Sequence, residues 1–317
     1  MIIVLLLTIF CTFNVKDSTT GAELKVVGGR QAKKGEYPFL VSLQWKTHGH
    51  FCGGNLISFD RILTACHCMC SFRTGLPFMF LVRDIIAVAG VENYNSEGRQ
   101  VMQIYKSERH IHCGLGKGGG WTFDYGIYTL SRPFSRYYQG NTVSTIPVYS
   151  WNPVELRTKI KEMINKSVVC QGAGWGYKTV EFDKEADDFV YKDPSETLKS
   201  IDVTLWSLST CQTELCKQPV MRCLPEGELG RRNQVCGKAP DKEDVCEGDS
   251  GGPLVCNGYV IGILSWGPAC GQHPYPSMYG SIEEAYNLEM FASSEYIQAS
   301  ITLLAVSVFI HIKNYLI

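Results

Sequence analysis

A strand-rich, disulfide-braced fold is what this sequence predicts, and three observations carry it. First, short stretches alternate apolar and polar residues. Residues 37–44 read as a half-buried strand, residues 51–58 begin another after the polar turn His48-Gly49-His50, and residues 125–130 alternate after Asp124. Second, helical heptads, internal repeats and low-complexity tracts are absent. Third, the chain holds fourteen cysteines and no pair of CxxC motifs, which points to a disulfide framework in an oxidising compartment. A length of 317 residues allows one large or two medium domains with a substantial core.

Composition removes several function classes. A net charge of −1 without a basic stripe argues against nucleic acid as a partner. A hydrophobic share of 45% against 19% charged residues describes a globular chain, not a disordered one.

The N-terminus is an apolar run from Met1 to Phe13, followed by small and polar residues through Ala22. It is short for a membrane span and reads as a secretory signal over residues 1–22, with an end that the pattern does not fix. Cys11 leaves with that signal, so the mature chain keeps an odd number of cysteines. Residues 23–25 then form a short activation peptide. Cleavage after Lys25 would free the α-amino group of Val26, ahead of Val27-Gly28-Gly29.

The chemistry centres on Gly248-Asp249-Ser250-Gly251-Gly252-Pro253. A serine hydroxyl needs a base to take its proton, and the tetrahedral oxygen needs N–H donors aimed at it. A histidine follows the apolar strand 62–64 at His67, and an aspartate begins the alternating stretch at Asp124. Together with Cys52-Gly53-Gly54, Thr64-Ala65-Cys66-His67-Cys68 and Val26-Val27-Gly28-Gly29, these motifs resemble the chymotrypsin/trypsin-like serine proteases. The resemblance runs in order from about residue 26 to about residue 291. It implies an all-β fold of two antiparallel six-stranded β-barrels with a cleft between them, a short C-terminal helix, and a protease domain over 26–293. Cys170 to Gly176 resembles the family's approach to the second barrel.

The same resemblance assigns roles. Ser250 is the nucleophile, His67 the general base and later acid, and Asp124 the group that orients the imidazole. Gly248 and Ser250 supply the oxyanion-hole N–H groups. Asp249 pairs with the new ammonium of Val26 after cleavage. Asp244 lies at the base of the primary pocket, where a carboxylate favours Lys or Arg. Ser265, Trp266 and Gly267 match the strand that pairs with substrate backbone. Two departures stand out. Tyr125 follows the aspartate where an aliphatic residue is usual, and Ser277 replaces a pocket-lining glycine, intruding beside Asp244 so that a long Arg side chain fits less well.

Four disulfides carry over by position: Cys52–Cys68, Cys170–Cys256, Cys211–Cys236 and Cys246–Cys270. Of the remainder, Cys216 and Cys223 are placed to bridge locally, Cys113 has Cys70 and Cys66 as candidate partners, and one thiol stays unpaired. Cys66 is read as a packing residue. An alternative reading takes Cys66-His67-Cys68 with Cys70 as a zinc cluster, since thiolate and imidazole are preferred ligands. The resemblance implies no metal and no organic cofactor, and a calcium loop is not evident.

Residues 178–193 form an acidic run, expected as an expanded solvated loop that could favour basic partner surfaces. Asn165-Lys166-Ser167 is an N-glycosylation acceptor. Residues 294–317 form a hydrophobic tail. Small residues at 292–294, a spacer and the apolar run 301–310 resemble a GPI signal, with a short membrane anchor or a packed end as alternatives. The expected function is therefore a secreted or surface-tethered serine endopeptidase made as a zymogen. Its partners are a protein or peptide substrate, an activating protease and a protein inhibitor, with the tail as a route to membrane attachment. The rival is a protease-fold binding protein without turnover.

Overall fold

Two closed, antiparallel six-stranded barrels stand side by side in the computed structural model. It describes residues 29–73, 76–150, 152–183, 188–217, 223–240, 243–268, 270 and 275–288. The signal, the activation site at Lys25 and Val26, the C-terminal helix and the hydrophobic tail all lie outside those residues. Among the described residues, no helix is long and apolar enough to cross a membrane.

The first barrel comprises β1 (Leu40–Trp45), β2 (Gly49–Ser58), β3 (Arg61–Thr64), β4 (Ile85–Ala89), β5 (Gln100–Arg109) and β6 (Gly126–Leu130). They close in the order β6-β3-β2-β1-β4-β5. Alternation fills the interior: Val41, Leu43, Leu56, Ile62, Leu63, Ile85, Ala87 and Ile127 are buried. The second barrel comprises β7 (Val169–Gly174), β8 (Lys199–Trp206), β9 (Gln234–Lys238), β10 (Pro253–Cys256), β11 (Tyr259–Trp266) and β12 (Ser277–Ser281). They run in the order β8-β7-β10-β11-β12-β9, and pairing of β8 with β9 closes the ring. Trp175 is buried between the barrels and donates its indole N–H to the Glu92 carbonyl at 2.8 Å.

Three segments differ from the sequence expectations. Helix α1 (Pro153–Asn165) was not anticipated. Asn152 caps it by accepting from the N–H groups of Val154 and Glu155, Pro153 occupies the first turn, and Leu156, Ile160 and Met163 form its buried stripe. Asn165, the glycosylation acceptor, is its exposed last residue. The acidic run is not a loop but a two-stranded ribbon, Tyr177–Asp183 against Asp188–Pro194, with Lys192 paired to Glu181 at 2.5 Å. Residues 114–122, also not anticipated, form a small hairpin, Gly114–Leu115 against Trp121–Thr122.

All four disulfides expected by position are formed, and Cys216 is bonded to Cys223. Cys66 does more than pack: it is bonded to Cys113. Cys70 is the free thiol among the described cysteines, and it is buried. Disulfide bonding also takes the Cys66 and Cys68 sulfurs out of the zinc-cluster reading, because each is committed to another sulfur instead of being a free thiolate ligand.

Candidate active site

Strand register brings the first two groups together. Gly126 of β6 lies opposite Thr64 of β3. The chain before Gly126 and the chain after Thr64 therefore leave the barrel at the same end, and Asp124 meets His67. Asp124 is fully buried. Its Oδ2 lies 2.7 Å from His67 Nδ1, and its Oδ1 accepts the His67 backbone N–H at 2.9 Å. Ser265 adds a third bond, from its hydroxyl to Asp124 Oδ2 at 2.6 Å. A register shift between Leu264 and Trp266 accompanies this, consistent with a bulge that re-aims the Ser265 side chain. Burial works to lower the His67 pKa, but the charge and hydrogen bond of Asp124, helped by Glu247, outweigh it and the net direction is upward. A carboxylate on Nδ1 leaves Nε2 as the face that can accept a proton.

Ser250 sits three residues before β10, in a turn of the second barrel that is docked on the first. Its carbonyl accepts the Gly53 N–H at 2.7 Å, and Asn55 Nδ2 donates to the Gly251 carbonyl at 3.0 Å. Gly251 has a φ of +79°, and a Cβ there would strike Thr64 Oγ1 and the Gly53 carbonyl and lie 3.2 Å from the Ala65 nitrogen. Only glycine allows this approach. It seats the serine turn against the two residues that lead into Cys66 and His67.

Asp249 points away into the second barrel. Its carboxylate accepts from the N–H groups of Gly176 at 2.7 Å and Cys246 at 2.9 Å. Burial pushes its pKa up to about 6, with the two backbone donors pulling the other way. A cleft beside it is lined by Gly174, Gly176, Lys199, Asp244 and Val245. Next to this turn, His50 Nε2 lies 2.9 Å from the Gly248 carbonyl and its Nδ1 2.8 Å from Ser42 Oγ. A carbonyl only accepts, so Nε2 carries the hydrogen. Burial lowers the His50 pKa to about 4, which keeps the ring neutral.

The pocket residues converge as well. Ser277 Oγ donates to Asp244 Oδ1 at 3.2 Å, and a Cβ on Gly267 would lie 3.5 Å from Ser277 Oγ. Trp121 stacks on the His67 ring with centroids 5.2 Å apart, while Gly120 rests on the Trp266 indole. The 114–122 hairpin thus lies against both the His67 ring and the Trp266 indole.

A sequence profile of the family described as Trypsin matches residues 26–288, most of the chain. The chain belongs to the trypsin family. This is a family of serine endopeptidases, and trypsin-like proteases with several disulfides are typical of secreted proteins. Curated relatives are similar along most of the chain. Trypsin theta of Drosophila melanogaster is 27% identical over 270 residues, covering 82% of this chain and 83% of the relative. Trypsin 5G1 of Aedes aegypti is 29% identical over 258 residues, covering 81% of each. Mouse neuropsin, a serine protease expressed in the limbic system, has a solved structure that superposes with a TM-score of 0.61 at 22% identity. That match covers 87% of this chain and all of neuropsin's.

Three contributors to this trypsin-family site escaped sequence reasoning, and so did one residue outside it. Ser265 was read for its backbone, yet its side chain holds Asp124. His50 was read as part of a polar turn, although two residues earlier than Cys52 it lies at the start of β2. Trp121 carries no signal of its own in the sequence. Arg232, taken up below, had no local signature at all.

Proposed function

We propose that this trypsin-family chain is a serine endopeptidase that is synthesised as a precursor and cuts after basic residues, with Lys preferred over Arg. The observation that carries the reading is the hydrogen bond of His67 Nδ1 to buried Asp124, which prepares Nε2 as a base. Ser250 Oγ attacks the substrate carbonyl as His67 takes its proton, and the N–H groups of Gly248 and Ser250 stabilise the oxyanion. His67 then returns the proton to the leaving amine, and water releases the acyl group by the same route.

Activation follows from Asp249. A buried carboxylate held by two N–H groups, with no cation bonded to it among the described residues, is a costly anion. Cleavage after Lys25 supplies an ammonium at Val26, which enters the cleft beside Asp249 and orders the Gly248 turn. Specificity follows from Asp244, which attracts a cation. Ser277 fills part of the same pocket and shortens it.

The signal at residues 1–22 directs the chain outside the cell, where its disulfides persist. The tail at 294–317 is our candidate for holding it at the outer surface. Labelling with a fluorophosphonate tests the core of the proposal. A chain beginning at Val26 should label at Ser250, the uncut chain far more slowly, and Ser250→Ala not at all. No labelling of the chain that begins at Val26 would assign the protein to the binding, non-catalytic members of the fold instead.

A further inference from the structure

Arg232 is 1% exposed, an unusual state for a guanidinium. It belongs to the second barrel, two residues before β9 begins at Gln234. Its Nη2 donates to the Lys117 carbonyl at 2.6 Å, its Nη1 to the Gly119 carbonyl, and its Nε to Glu228 Oε1 at 3.0 Å. The Arg232 carbonyl accepts the Phe123 N–H at 3.0 Å. Asn233 Nδ2 donates to the Tyr125 hydroxyl and Gln234 Nε2 to the Trp121 carbonyl, each at 3.3 Å. Three consecutive residues of the second barrel thus grip residues 117, 119, 121, 123 and 125 of the first.

The gripped segment carries Trp121 and Asp124. Its tip is nearly all glycine, from Gly116 to Gly120 with Lys117 between, and so offers no apolar side chain to bury. Ordering such a tip costs backbone entropy that apolar packing does not offset. Its anchors are the Cys66–Cys113 disulfide at the base and the guanidinium at the tip.

We infer that Arg232 is a positioning residue: by binding the Lys117 and Gly119 carbonyls it fixes Trp121 over His67, and so sets how well the cleft holds an extended peptide. The inference rests on the protease reading above for its kinetic part only. A small reagent that needs only the serine and its base should be indifferent to this hairpin, whereas a peptide lying past His67 should not.

The test uses the full chain activated at Val26, in two variants. Arg232→Met removes the guanidinium. Gly116→Ala approaches from the other side: a Cβ there would run into the Arg232 guanidinium, with Nη1 2.6 Å and Nη2 2.7 Å away. In both, amide hydrogen exchange across residues 114–122 should rise. KM for an extended peptide should rise about tenfold, the loss expected for charge-assisted hydrogen bonds, while the fluorophosphonate labelling rate stays within about threefold. Arg232→Lys should fall between, since an ammonium cannot reproduce the planar fork.

Unchanged exchange at 114–122 in Gly116→Ala would overturn the inference, as would labelling and peptide hydrolysis that fall by the same factor. Should Arg232→Met fail to fold, Gly116→Ala decides alone. A wild-type chain that never labels would sink the protease reading, and hydrogen exchange would then judge the positioning role without it.

Discussion

Asp124 holds His67 twice, once by the ring Nδ1 at 2.7 Å and once by the backbone N–H at 2.9 Å. One carboxylate therefore sets both the tautomer and the seat of the imidazole. Asp124→Asn should lower kcat about 10⁴-fold, the scale of losing the tautomer lock in a Ser-His-Asp hydrolase. Burial lowers the His67 pKa and the Asp124 charge and hydrogen bond raise it further, giving a net rise from 6.5. The acid limb of kcat/KM should therefore lie above pH 6.5 in the wild type and move down in the variant. A pH–rate profile of both proteins checks this.

The uncut chain should grow less stable as pH rises through the range where Asp249 ionises. Its folded pKa is about 6 against an ordinary 3.8, raised by burial. Between those values the folded chain keeps a proton that the unfolded chain has released. The contribution is therefore complete below pH 3.8 and is lost as pH climbs through 6. By linkage its size is about 3 kcal/mol. Urea unfolding of the precursor at pH 4 and pH 7 should show the slope, and Asp249→Asn should flatten it. In the chain beginning at Val26 the slope should also shrink, because the ammonium partners the anion.

Ser277→Gly should redirect specificity. The hydroxyl lies 3.2 Å from Asp244 Oδ1 and occupies space that a longer side chain would use. Removing it should raise kcat/KM for Arg substrates relative to Lys by about tenfold, the usual worth of a small pocket change. Matched Lys and Arg peptides measured on both proteins check the ratio.

Cys70 should be silent toward alkylation until the protein unfolds. It is 1% exposed, and burial pushes its thiol up to about 11, against the pull of Arg109. Iodoacetamide at pH 8 should leave the native chain unmodified and mark Cys70 after denaturation without reductant. Cys113→Ser should cost about 4 kcal/mol from the loop it closes with Cys66, and because Cys66 is itself buried its freed thiol should, like Cys70, be alkylated only after denaturation.

Much of the frame was legible because it is written locally. Alternation at residues 37–44 and 51–58 returned as β1 and β2, and the short motifs around His67 and Ser250 mark the turns that leave each barrel. Cysteine positions gave four pairings by family likeness, but Cys113 had two candidate partners that spacing could not separate. Helix α1 was missed although Asn152-Pro153 is a start signal, because its apolar positions Leu156, Ile160 and Met163 are diluted by charge. The ribbon 177–194 was read as a loop for the same reason: acidic residues masked Val180 and Tyr191. Contacts such as Ser265 with Asp124 and Arg232 with Lys117 join residues more than a hundred positions apart, and no window along the chain contains both partners.

Both sequence neighbours of His67 are cystines, Cys66 joined to the cleft hairpin at Cys113 and Cys68 joined back to β2 at Cys52. A residue braced from each side cannot fray by itself, so the imidazole has no private route out of register. Heat or denaturant will disturb it only when the surrounding barrel gives way. Reductant gains no shortcut either, since all four sulfurs are buried; loss of the imidazole's seat and loss of β-structure should therefore coincide under reducing conditions.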